Sequence, residues 1–209
     1  MDIGIIGAGN IGATAARLLA GAGHRIALAN SRGPDSLAGT ISGMEGDVRA
    51  ATVPEAAEFG EVVIVAIPCG RYEDLPAGPL AGRIVIDANN YYPGRDGAFA
   101  EIDTRGATSS GRLQAHLSGS VVVKALNTME ASRLGGEGRP AGDPDRLALP
   151  VAGGDEEAKR MVIALLDQMG FDGVDAGTLE EGRRQEPGTP VYGALLHAEG
   201  VREALAAAA

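Results

Sequence analysis

The sequence predicts an α/β protein built on a doubly wound, mostly parallel sheet. Three observations carry that expectation. Short apolar segments alternate with segments of helical spacing along the chain. Three of them, "EVVIVAIP", "RIVIDANN" and "VVVKALN", are apolar on both faces, as strands of a parallel sheet covered by helices must be. A Gly-rich turn separates the first strand-like segment from the first helix-like one.

"DIGII" supplies the first strand and leads through that turn into a helix from Ile11 to about Leu19, which Gly21 and Gly23 end. "RIALAN" is a second strand. Pro34 fits the first turn of the next helix, where its missing N–H costs nothing. "VRAAT" is a short third strand and Pro54 opens a brief helix. The three apolar segments follow as strands four, five and six. "LGGEGRPAGDP", Leu134 to Pro144, reads as a loop. "LALPVAGG" is then a strand. Asp155 is placed to cap a helix running to about Met169, with Ala158, Met161, Val162, Leu165, Leu166 and Met169 at helical spacing. "GVDAG" is a short last strand. The end, from about Pro190, reads as a helix interrupted by Gly200.

The bulk numbers narrow the function. A chain of 209 residues with 44% hydrophobic content buries a sizeable core. Acidic residues outnumber Lys and Arg by 28 to 18, for a net charge of −10. That opposes non-specific binding to nucleic acid or to anionic membranes, which needs many cations. A small anionic ligand needs only a few placed arginines. Cys69 is the only cysteine, so no internal disulfide exists, which fits a reducing compartment. "DIGII" begins with no basic and apolar leader before it, and "VVIVAIP" is too short to span a bilayer. The expectation is a soluble cytoplasmic protein without nucleic-acid or membrane partner. His24, His116 and His197 are scattered, one per element, so no metal is expected.

Gly7-Ala8-Gly9-Asn10-Ile11-Gly12 is G-x-G-x-x-G, placed after a strand and opening a helix. Gly7 makes the tight turn, Gly9 lets the backbone approach a pyrophosphate, and Gly12 lets helix and strand pack closely. The helix N-terminus adds free N–H groups and the positive end of its dipole. This is the dinucleotide-binding (Rossmann) pattern. Residues 1–135 are expected to form that unit, and residues 136–209 a small C-terminal βαβ extension with a terminal helix on the same sheet. The second strand ends where an Asp would read the ribose hydroxyl of NAD. Asn30, Ser31 and Arg32 stand there instead. A guanidinium pairs with a 2′-phosphate and can stack on adenine, so the cofactor expected is NADP(H).

Ligands of such sheets sit at the carboxyl ends of the strands. That places Ile67, Pro68 and Cys69, then Asp87 to Asn90, then Lys124, Ala125 and on to Met129 around the nicotinamide. Pro68, Asn89 and Asn127 would shape that side. No His follows any of these strands. Lys124 is the candidate proton donor, with Asn127 as its orienter; a strand-end salt bridge is the structural alternative. Tyr91 and Tyr92 could stack on a flat substrate or cap a core edge. Arg183 and Arg184 could attract an acidic tail or pair with Glu180, Glu181 and Glu186.

"GIIGAGNIG", "ALANSRGPDSL", "VVIVAIP", "SSGRLQAHLSGSVVVKALNTM", "VAGGDEEAKRMVIALLDQMGF" and "VDAGTL" together resemble the F420-dependent NADP oxidoreductases, whose fold is shared by the reductase domain of the STEAP metalloreductases. The resemblance runs in order from residue 4 to residue 179. It implies NADP in the glycine loop and a second planar redox cofactor against the nicotinamide, a deazaflavin in the name-giving enzymes; it also suggests a homodimer. The chain departs from that family at Leu126, often Phe there, and at Cys69, where some members have Trp. The reading is hydride transfer between NADP(H) and a deazaflavin (coenzyme F420) or a flavin. The alternatives are an NADPH-dependent reductase of a small carbonyl or imine, with Lys124 as acid, and a non-catalytic NADP-sensing module.

Overall fold

The structure is a computed structural model and describes residues 1–208. Eight strands form one sheet: β1 (Asp2–Ile6), β2 (Arg25–Ala29), β3 (Asp47–Ala51), β4 (Val62–Val65), β5 (Ile84–Asp87), β6 (Val121–Lys124), β7 (Ala148–Gly153) and β8 (Asp172–Asp175). Their spatial order is β3-β2-β1-β4-β5-β6-β7-β8. All pairs from β3 to β6 are parallel; β7 runs antiparallel to β6, and β8 parallel to β7. The strand order reverses between β1 and β4, which opens a crevice at their carboxyl ends. The fold is therefore the expected α/β, NAD(P)-binding Rossmann type.

The main helices are α1 (Asn10–Gly21), α2 (Val53–Phe59), α3 (Ser109–His116), α4 (Ala131–Gly136), α5 (Glu156–Gln168) and α6 (Ala198–Ala207). Alternate residues of the central strands feed two cores. Ile3, Ile5, Ile26, Leu28, Val62 and Ile64 pack under α1 and α5, and Ala27, Ala29, Val63, Val65 and Val85 pack on the opposite face. A third cluster sits under α6, where Val201 and Leu205 meet Ala148, Ala152 and Val174. Asp155 caps α5 as expected, its carboxylate accepting from the N–H groups of Glu157 and Ala158 at 2.9 and 2.8 Å. Such a cap is worth about 1 kcal/mol.

Three sequence expectations change. The stretch expected as loop from Leu134 begins inside α4, which runs to Gly136. The terminal helix starts at Ala198, well after Pro190, and continues through Gly200 without a break. Residues 187–193 form turns instead, with Gly188 and Gly193 at φ values of +88° and +73°, and 194–197 have no regular structure. Helix α3 was not expected; Thr108 caps it by accepting from the Gly111 N–H at 2.9 Å. Among the described residues, no helix is long and apolar enough to cross a membrane.

Candidate active site

Two of the three glycines of the loop have a steric reason within the protein itself. Gly7 stands at φ +113°, and a Cβ there would lie 2.1 Å from the Ala66 carbonyl oxygen. A Cβ on Gly12 would lie 1.8 Å from the Gly7 carbonyl oxygen, so α1 packs on the loop through bare backbone. A Cβ on Gly9 would meet nothing within 4 Å. Gly9 needs no glycine for the protein's own packing; it faces open space. Asn10 and Ile11 follow it, at the N-terminal turn of α1.

At the end of β2, Asn30 shapes the loop. Its Oδ1 accepts from the Arg32 N–H at 2.9 Å, and its Nδ2 donates to Ser36 Oγ at 2.9 Å. Ser31 and Arg32 are exposed. The Arg32 guanidinium makes no hydrogen bond or ion pair among the described residues, so it is free for an external anion.

A cleft of about 1030 Å³ opens at the sheet's switch point. Gly9, Asn10, Ile11, Ile67, Pro68, Asn89 and Asn127 line it, as do Thr14, Arg17, Tyr92, Arg95, Thr128, Glu130 and Tyr192. Leu126 turns the chain into its wall at φ +65°, a left-handed conformation that costs an L-residue about 1–2 kcal/mol. Asn127 is held rigidly. Its Nδ2 donates to Asn90 Oδ1 at 2.9 Å and to the Gln185 carbonyl at 2.7 Å, and its Oδ1 accepts from Gln185 Nε2 at 2.8 Å. Asn89 Nδ2 donates to the Val65 carbonyl and to Asp87 Oδ1. Both amides therefore brace the ends of β4, β5 and β6 as cleft wall.

Lys124 is a correction. The candidate proton donor is fully buried and does not line the cleft. Its ammonium donates to the Asn89 carbonyl at 3.2 Å, Ser109 Oγ at 3.1 Å and Ser110 Oγ at 3.2 Å, and lies 3.9 Å from Asp87 Oδ2. Asp87 is also fully buried; Tyr72, Ser110 and Asn89 donate to it. A lysine so enclosed ties strand ends together and cannot reach a substrate. Asn127, with both its N–H groups and its oxygen engaged elsewhere, does not orient it. Ala125 is likewise enclosed. Cys69 is buried in the core beside Tyr72 instead of facing the cleft. Burial, and then the nearby Asp87 charge, push its thiol up to about 12. Tyr91 caps a core edge, its hydroxyl bonded to Gly97 and Asp103. Arg183 and Arg184 pair locally with Glu180 and Glu181. No group of three or more His, Cys, Asp or Glu among the described residues could hold a metal ion.

Sequence reasoning missed Tyr192, Arg95, Thr14 and Arg17. Tyr192 carries no local signal; it lines the cleft beside a contact between distant segments, the Gly193 N–H donating to the Thr128 carbonyl at 2.8 Å. Arg17 follows the last glycine of the loop along α1 and donates to the Gly135 carbonyl, tying α1 to α4.

Residues 2–91 match the family model described as NADP oxidoreductase, coenzyme F420-dependent. The structure of protein SMa0349 from Sinorhizobium meliloti, of hypothetical function, superposes with a TM-score of 0.81 at 31% identity, covering 93% of this chain and 94% of that one. A candidate F420-dependent NADP reductase from Arthrobacter sp. FB24 gives a TM-score of 0.72 at 29% identity, covering 87% and 86%. A reductive aminase from Aspergillus terreus, solved with NADPH and ethyl-5-oxohexanoate, shares the fold at 18% identity and a TM-score of 0.59. There the match covers 84% of this chain and 55% of the aminase. The protein YjhV of Escherichia coli K12 is 42% identical over 53 residues, which span 25% of this chain and 39% of YjhV.

Proposed function

The chain belongs to the family of coenzyme F420-dependent NADP oxidoreductases, and from that premise we propose that it passes a hydride between NADP(H) and a deazaflavin of the F420 type. The observation that carries this reading is one continuous cleft that joins the open Gly9 position to a wall built by Pro68, Asn89 and Asn127. When bound, NADP(H) supplies the hydride carrier. Gly7, Ala8, Gly9, Asn10, Ile11 and Gly12 hold its pyrophosphate through backbone amides and the dipole of α1. Ser31 and Arg32 hold the 2′-phosphate, in a loop that Asn30 fixes. Ile67, Pro68 and Asn89 back the nicotinamide. The remaining cleft takes a second flat ring, and hydride transfer between two such rings depends first on how closely the protein holds them. Residues 1–135 carry the nucleotide. The extension 136–209 supplies the far wall through Tyr192 and Gly193, and braces Asn127 through Gln185.

The test is anaerobic mixing of the protein with NADPH or NADH and oxidised F420, following loss of the deazaflavin absorbance. Fast bleaching with NADPH and little with NADH is expected; NADPH that binds without bleaching removes the deazaflavin and keeps the nucleotide site. Arg32→Asp should weaken NADPH about 10- to 100-fold more than NADH, the worth of one or two charge-assisted hydrogen bonds. Equal loss for both nucleotides would remove the role given to Arg32.

A further inference from the structure

Hydride addition to a conjugated ring, or to a carbonyl or imine, leaves negative charge on a neighbouring nitrogen or oxygen, and that atom needs a proton. Lys124 cannot supply it. Among the described residues, the ionisable side chains that line the cleft are Arg17, Tyr92, Arg95, Glu130 and Tyr192. A guanidinium does not give up its proton, and a carboxylate accepts where a donor is wanted. Two phenols remain.

Those phenols touch. Tyr92 Oη and Tyr192 Oη are 2.5 Å apart, though the residues are 100 positions apart in sequence. Each is fixed from its own side. The Tyr92 N–H donates to Asp96 Oδ2 at 2.9 Å. Tyr192 is held by its N–H to the Thr189 carbonyl and by the neighbouring Gly193 N–H to Thr128. Tyr92 is the more exposed of the two. The Arg95 guanidinium stands over the Tyr92 ring, 4.8 Å from its centroid.

We propose that Tyr192 is the catalytic acid of this cleft and that Tyr92 relays protons to it from solvent. The inference rests on the hydride-transfer reading above. Tyr192 gives its phenolic proton to the acceptor's nitrogen or oxygen as the conjugated carbon takes the hydride from the reduced nicotinamide. The Tyr192 O–H bond breaks and an N–H or O–H bond forms on the acceptor. The Tyr92 proton then moves to Tyr192, and water reprotonates Tyr92. The nicotinamide is oxidised by two electrons, the acceptor is reduced by two, and one solvent proton is consumed. Arg95 steadies the negative charge as it passes through Tyr92. Burial, then the hydrogen bond that it shares with Tyr92, push Tyr192 up to about 12, and its phenol is protonated at neutral pH. The other charged groups facing the pair are Glu130 and Asp96.

Tyr192→Phe and Tyr92→Phe keep ring volume and remove one hydroxyl each. With NADPH and F420, Tyr192→Phe should lower the single-turnover rate about 10²- to 10⁴-fold, the usual worth of a general acid. Tyr92→Phe, on the exposed side of the relay, should cost about tenfold or more. The wild type should show a solvent deuterium isotope effect that Tyr192→Phe abolishes, which a purely structural role would not do. A second readout needs no turnover: oxidised F420 binding to the protein already saturated with NADP+. Tyr192→Phe should weaken that binding about 5- to 10-fold, one hydrogen bond's worth, with NADP+ affinity unchanged. Unchanged rate, isotope effect and affinity in both variants would overturn the proposal while F420 bleaching by the wild type stands. A wild type that ignores F420 but reduces 2-methyl-1-pyrroline would overturn the deazaflavin reading alone, and the same variants on that imine then decide the tyrosines. A wild type that passes its hydride to neither overturns both.

Discussion

Replacing Lys124 with Met separates a structural lysine from a catalytic one. The variant keeps the length of the side chain and removes its charge. Three acceptors lose their donor, namely the Asn89 carbonyl, Ser109 Oγ and Ser110 Oγ, and Asp87 loses the ammonium 3.9 Å away. Removing one partner of a buried ion pair costs about 3–5 kcal/mol. Asp87 keeps its hydrogen bonds from Tyr72, Ser110 and Asn89, so the lower end applies, about 3 kcal/mol. For a chain of this length each kcal/mol moves the melting temperature by about 2–4 °C, which gives a fall of about 6–12 °C. Urea and thermal denaturation measure it. Adding Asp87→Asn should return part of the loss, because the fully buried charge is gone, while Glu186, 4.0 Å from the ammonium, keeps its hydrogen bonds from Ser109. A Lys124→Met protein that melts within about 2 °C of the wild type would refute the account of the buried pair. Should it also bind NADPH normally and fail to turn over, the acid role would return to Lys124.

Two further outcomes follow from geometry and burial. Gly9→Ala should fold with near-normal stability and lose NADPH binding, since its new methyl enters only the open cleft; Gly12→Ala should be destabilised outright by the clash with the Gly7 carbonyl. Equal melting temperatures for both, with equal NADPH affinity, would contradict the assignment of the loop. On the alkaline side, Cys69 releases its proton near 9 when unfolded and near 12 when folded. The unfolded chain therefore holds fewer protons over that interval, and stability should fall as pH rises from about 9 towards 12. Urea unfolding at pH 8 and pH 10.5 tests this, with Cys69→Ala flattening the slope and the native thiol resisting alkylation at pH 8. A stability that is flat with pH in the wild type would refute the burial argument.

What was legible in the sequence is what depends on neighbours along the chain. The strands announce themselves by unbroken apolar runs, because both faces of β4, β5 and β6 are covered. The glycine loop reads directly because turn, close approach and helix start fall within six residues, and the structure shows a separate steric reason for Gly7 and Gly12. The Asp155 cap and the face of α5 are equally local. Helix α3 was hidden for the opposite reason. "SSGRLQAH" is short and weakly amphipathic, and Ser109 and Ser110, which look like loop residues, are buried there as partners of Lys124 and Asp87.

The site failed to be legible at the same kind of place. Position along the sheet put Lys124 at the right end of β6, but position does not say which way a side chain points. Register settles it. Asp87 and Lys124 are paired neighbours on β5 and β6, and their side chains turn to the α3 side, where serines receive them. The next residues, Asn89, Asn90 and Asn127, then meet the cleft with their amides already committed to one another and to backbone. That leaves a rigid wall without a proton donor at the strand ends. A donor must come from a segment that arrives over the top of the sheet, and residues 187–193 are such a segment. Their turn-rich composition hid Tyr192, and the same turns bring it against Tyr92. The split has a functional consequence. On the proposed reading, nucleotide binding depends on the β1–α1 loop and the end of β2, while proton delivery depends on the two loops that carry Tyr92 and Tyr192. Variants at Arg32 should therefore change NADPH affinity and leave the tyrosine-dependent isotope effect intact, and variants at Tyr192 should do the reverse.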